Sequence, residues 1–113
     1  MANREGRQGH TMSEFFIFDQ NNSGGFYKSD DIVAATVIIE ARDYIHANEI
    51  ADKLGIFNYH YCKCCGRRFE LLYGTEPTVP DVDAAIAIAK KLNKFQDYII
   101  HFLDGKIDKH QFS

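Results

Sequence analysis

Residues 31–41 read DIVAATVIIEA, and this stretch decides the architecture. In an extended chain successive side chains point to opposite faces, so Val33, Ala35, Val37 and Ile39 share one face while Ile32, Ala34, Thr36, Ile38 and Glu40 share the other. Apolar side chains on both faces predict a strand that is largely buried. Towards the N-terminus, residues 14–20 (EFFIFDQ) are aromatic and β-branched, and residues 21–25 (NNSGG) tolerate tight turns and positive φ. The two runs predict strands that pair antiparallel.

Towards the C-terminus the period changes. In residues 43–54 the apolar Tyr44, Ala47, Ile50, Ala51 and Leu54 recur at three- and four-residue spacing, with Asp43 as N-terminal cap and Gly55 as stop. Short strands are expected at 56–61 and at 68–73 (RFELLY), with the cysteine cluster between them at a hairpin-like bend and Gly74 closing the second. Residues 75–80 hold both prolines and cannot propagate a helix. Beyond them Val82, Ala85, Ile86, Ala89 and Leu92 form a helical stripe over 81–93. Strands at 96–103 and 106–112 flank Asp104-Gly105, a pair suited to a two-residue type I′ turn. The expected order is ββαββαββ: an α+β fold with two helices on a mainly antiparallel β-sheet and a zinc-knuckle-like hairpin. Residues 1–11 (MANREGRQGHT) read as a flexible N-terminal tail and 12–113 as a single α+β domain, Met12 offering an alternative start.

Composition bounds the function. With 113 residues, 45% apolar and 13% aromatic, the chain has material for one core but not two. A net charge of −3 excludes a global positive field that would draw it onto nucleic acid or an anionic membrane. The longest apolar stretch, 32–39, is far short of the ~20 residues a membrane span needs, and the N-terminus lacks a signal peptide's apolar core. Three cysteines within four positions make a poor disulfide framework, which favours a reducing cytoplasm.

The chemistry is concentrated in residues 60–69, HYCKCCGRRF. Cys62 and Cys65 stand in C-x-x-C spacing followed by Gly66, as in a zinc knuckle, where a tight turn aims two thiolates at one ion. A structural Zn²⁺ takes four ligands; the remaining candidates are Cys64 and His60, with His101 and His110 more distant. Against this stand free thiols in a turn, and a redox pair with Lys63, Arg67 and Arg68 stabilising a thiolate, although the segment does not open a helix as thioredoxin-like motifs do. His46 lies within the first predicted helix and is not expected to be a ligand. No H-E-x-x-H or deaminase-type pattern supplies a catalytic zinc with a general base, so no enzyme is expected and no catalytic residue is assigned.

Two other readings use the same chain differently. Lys63, Arg67 and Arg68 beside Tyr61 and Phe69 combine cations for phosphate with rings for stacking, the local chemistry of a nucleic-acid contact. The NNSGG loop could present backbone N–H groups to a small ligand or nucleotide, but it lacks the glycine patterns of nucleotide sites.

The segments FFIFDQNNSGG (15–25), VIIEA (37–41), IADKLGI (50–56) and CKCCGRRF (62–69) together resemble a family of small, uncharacterised proteins of tailed bacteriophages. The likeness runs over residues 13–73 and continues more weakly to the DGK of 104–106. In that family the loop before the cysteines is often longer and carries another cysteine, and an aromatic, commonly Trp, follows CCG-x-R. Here that cysteine is absent and Phe69 takes the aromatic position, so His60 becomes the substitute for the fourth ligand. The resemblance implies a phage accessory protein in the host bacterial cytosol and no particular activity. The combined expectation is a non-enzymatic interaction module with one structural Zn²⁺ and a host or phage protein as partner, a homodimer being left open.

Overall fold

Four strands and two helices are laid out in the computed structural model, which describes residues 13–20, 29–58, 69–74, 79–92 and 96–110. Strand β1 (Glu14–Asp19) pairs antiparallel with β2 (Thr36–Ala41), setting Phe16 opposite Ile39 and Phe18 opposite Val37. On its other side β2 pairs parallel with β3 (Tyr98–His101), and β3 pairs antiparallel with β4 (Ile107–His110). The sheet order is therefore β1-β2-β3-β4, with a parallel central pair flanked by antiparallel ones.

Both faces of this sheet are covered, which is why β2 is apolar on both sides. Helix α1 (Tyr44–Leu54) lays Ala47 and Ala51 over Phe16, Phe18, Val37, Ile39 and Ile99. Helix α2 (Val82–Leu92) lays Ala85 and Ala89 over Phe15, Ile38, Tyr98 and Ile100 on the opposite face. Alanine at the contact positions lets each helix approach the sheet closely. Burying each branched side chain of β2 contributes about 1.5–3 kcal/mol.

The helix ends follow their capping residues. The Asp43 carboxylate accepts the His46 N–H at 2.7 Å, and the Gly55 N–H donates to Ala51 and Asp52. Asp81 does the same for α2, accepting the Ala84 N–H at 2.8 Å. Helix α1 thus starts one residue inside the expected span, and α2 one residue inside at each end.

Three expectations about the element order are corrected. The described order is ββααββ rather than ββαββαββ. The expected strand at 56–61 begins instead as a 3-10 turn, Ile56–Asn58, its remainder lying outside the described residues with the zinc-knuckle-like hairpin. Residues 69–73 form no strand: Phe69 and Leu72 are buried while Leu71 and Tyr73 are exposed, a spacing of three rather than two. The Asn48 side chain supplies the hydrogen bonds a neighbouring strand would have given, donating to the Leu72 carbonyl and accepting the Leu72 N–H, each at 2.9 Å.

The sheet is mainly antiparallel, as expected, with one parallel pairing that makes it mixed. The connection from β2 to β3 carries α1 on one face and α2 on the other, long enough for a parallel crossover. Between the helices the Val79 carbonyl accepts the Phe15 N–H at 2.8 Å, closing the outer edge of β1 where the chain passes from one face to the other. Finally, the β3–β4 loop has three residues, Leu103, Asp104 and Gly105, not two. Phe102 N–H donates to Lys106 at 2.8 Å and Gly105 N–H to Phe102 at 2.9 Å, with Gly105 left-handed at φ 96°. This is a turn followed by a glycine bulge, the other geometry an Asp-Gly pair serves.

Candidate functional site

The segment of interest has its bounding residues in the core. His60, Tyr61, Cys62, Lys63, Cys64, Cys65, Arg67 and Arg68 lie outside the described residues, as does the NNSGG loop. Before the segment, Ile56 is fully buried at the start of the 3-10 turn. After it, Phe69 is 1% exposed. Both belong to the α1-face core with Ala47, Ala51 and Ile99. Segment 59–68 is thus bounded at both ends by side chains of one core.

Two further contacts hold the downstream end. The paired hydrogen bonds of Asn48 fix Leu72 to α1, and Gly74 lies so close to the Tyr44 ring that a Cβ there would meet it at 2.8 Å. Neither was legible in the sequence, because Asn48 precedes Leu72 by 24 residues and looks like a solvated helix position.

Phe69, one of the two rings considered for base stacking, is 1% exposed, and Tyr61, the other, lies outside the described residues. Cys62, Cys64, Cys65 and His60 are neither brought together nor separated by the described residues. Among those residues no group of three or more His, Cys, Asp and Glu side chains gathers as a metal site.

The histidines separate by face. His101 follows Ile99 on the α1 face, is 4% exposed, and donates from Nε2 to the Ile32 carbonyl at 2.7 Å. A carbonyl only accepts, so the neutral ring carries its proton on Nε2 and leaves Nδ1 as the acceptor. Burial pushes the His101 imidazole below its ordinary 6.5, the bond to Ile32 opposing. His110 is on the α2 face, stacked on Tyr98 at 4.8 Å between ring centroids and 3.2 Å from the Asp108 carboxylate. Burial, with Asp108 adding, pushes the Tyr98 phenol up. His110 therefore faces away from the core that bounds the cysteine segment. The His46 Nδ1 accepts the Arg42 N–H at 3.1 Å, a local role at the start of α1.

A second polar cluster ties the β1–β2 connection to the far side of the sheet. The Asp30 carboxylate accepts the Ile32 and Val33 N–H groups at 2.8 and 3.0 Å, and its carbonyl accepts Lys109 Nζ at 2.6 Å. Ser29 donates to Asp97 at 2.8 Å. Glu40 joins two more segments, accepting the Leu103 N–H at 2.9 Å and the Ser13 hydroxyl. An apolar groove of about 240 Å³ runs beside β1, lined by Phe16, Ile17, Leu72, Val79, Ile88 and Leu92, with Asp19 the one titratable group among its described lining residues. A single carboxylate provides no paired acid and base.

A mixed four-stranded sheet with a helix on each face defines an α+β protein, and no described helix is long and apolar enough to cross a membrane. The chain belongs to the family described as Domain of unknown function (DUF7296), whose profile matches residues 13–113. No curated protein and no solved structure matches it.

Proposed function

We propose that this chain is a small phage-encoded accessory protein, a non-enzymatic interaction module whose cysteine segment is organised by one structural Zn²⁺ in the host bacterial cytosol. The observation that carries the reading is the placement of three cysteines within four positions, two in C-x-x-C spacing before Gly66, in a segment bounded by the buried Ile56 and Phe69. Cys62 and Cys65 are the first pair of ligands, with Cys64 and His60 completing the set. Ten residues, 59–68, contain few apolar side chains to build a core of their own. A zinc ion supplies what they lack, apparent binding in small zinc peptides being on the order of 10 kcal/mol. Three thiolates on Zn²⁺ carry a net −1, which Lys63, Arg67 and Arg68 offset.

A protein partner, from host or phage, suits this surface better than nucleic acid. Leu71 and Tyr73, just past the segment, are 44% and 69% exposed, whereas Phe69 is withdrawn into the core. The phage origin rests on the resemblance of the FFIFDQNNSGG and CKCCGRRF segments. Amide exchange with and without a zinc chelator tests the site. Chelation is expected to raise exchange across 59–73 while α2 keeps its protection. Unchanged protection across 59–73 after demonstrated zinc removal refutes a structural role.

A further inference from the structure

The two edges of the sheet are treated differently. On β1 the Phe15 N–H is taken by Val79, so that edge is partly closed from within the chain. On β4 the hydrogen bond from Phe102 N–H to Lys106 sets the alternation of the antiparallel ladder, turning Asp108 and His110 towards β3. The backbone N–H and C=O groups of Ile107 and Lys109 therefore point outward, and among the described residues none of them has a partner. Ile107 on this edge is 48% exposed. An open edge bearing an exposed apolar side chain is a template for another strand.

We propose that β4 pairs antiparallel with β4 of a second copy of this chain, across a two-fold axis at Ile107, joining two four-stranded sheets into one of eight strands. The charge pattern along β4 selects both the occupant and the register. A pairing centred on Ile107 sets Ile107 against its own copy and Lys106 opposite Asp108, this charged pair occurring twice. The next register allowed by the outward backbone groups, centred on Asp108, sets Asp108 against Asp108 and Lys106 against His110. The one after, centred on Lys109, sets Lys109 against Lys109. Only the Ile107 register is free of like-charge contacts. Lys106 and Asp108 share the α2 face, where Lys106 lies 5.7 Å over the Phe102 ring and Asp108 is 44% exposed. Lys109 is held on the other face by the Asp30 carbonyl and adds no repulsion. A self-complementary edge of this kind fits a second copy, since a foreign strand has no reason to carry the same alternation.

Sedimentation velocity on the full, reduced chain tests this. The expected result is a concentration-dependent species of twice the 12.9 kDa chain mass that weakens as salt rises. Lys106→Asp and Asp108→Lys each replace two attractive pairs by two repulsive ones, and each is expected to weaken self-association on the order of tenfold or more. An equimolar mixture of the two variants restores both pairs and is expected to recover the wild-type dimer. Ile107→Pro removes an outward N–H and the exposed side chain on the axis but no hydrogen bond to β3, so it should leave the far-UV circular dichroism unchanged while abolishing the dimer. A chain that stays monomeric at every concentration overturns the proposal. So does a dimer that these variants leave intact, or one that the mixture fails to restore, since its interface then lies elsewhere or belongs to a foreign strand.

Discussion

Asn48 shows how much one side chain decides. Its amide satisfies both backbone groups of Leu72, and without it those groups are left partly buried and unpaired. Asn48→Ala is expected to cost about 1–3 kcal/mol in urea denaturation, and Asn48→Asp to be little better, because it loses the donor to the Leu72 carbonyl. His101 gives the residue scale a pH signature. Its folded-state pKa lies below 6.5, so folding disfavours the protonated ring. Above 6.5 both states are neutral and the contribution is complete. As pH falls below 6.5 the unfolded chain takes up a proton that the buried ring resists, and stability declines until the folded pKa is passed. His101→Gln retains a donor for the Ile32 carbonyl and should flatten this part of the stability profile. A profile just below pH 6.5 that is identical in the two proteins would rule out His101 as its source.

At the scale of elements, the caps mark what was legible. Asp43 and Asp81 each satisfy an N–H in the first turn of their helix, and the apolar spacing located both helices to within one residue. Replacing either aspartate by alanine is expected to cost about 1 kcal/mol, and because the caps serve helices on opposite faces the double variant should lose the sum. Chemical denaturation of the two single variants and the double checks both amounts. The strand expected at 68–73 misled for a physical reason: RFELLY has strand composition, but a run becomes a strand only where another strand offers its backbone, and here the side-chain amide of Asn48 pairs with Leu72 instead. The Asp104-Gly105 hairpin was legible as a hairpin but not in its loop length, which the Phe102 and Lys106 pairing settles. The cysteine segment was the most conspicuous feature of the sequence, and its candidate ligands rest on residue type and spacing alone.

For the whole molecule, the parallel pairing of β2 with β3 is the feature that residue patterns could not announce. Alternation tells which side chains share a face, not which strand lies alongside, and the neighbour was fixed by the passage of the chain around β1 at Val79. The consequence is a sheet covered on both faces, and it can be tested with two adjacent residues. Ile38 is fully buried beneath α2 and Ile39 fully buried on the α1 face. Replacing either by alanine is expected to cost about 2–5 kcal/mol. A sheet covered on one face only would make one of the two substitutions nearly neutral. The same arrangement bears on function, because Ile56 and Phe69, which flank the cysteine segment, both belong to the α1-face core. The most direct test of the central claim is zinc stoichiometry by mass spectrometry on freshly reduced protein purified without added metal, with Cys62→Ser and Cys64→Ser variants alongside. The account predicts one zinc per chain in the wild type, lost in Cys62→Ser, with Cys64→Ser reporting whether that thiolate is a ligand. A wild-type protein that carries no zinc would contradict it.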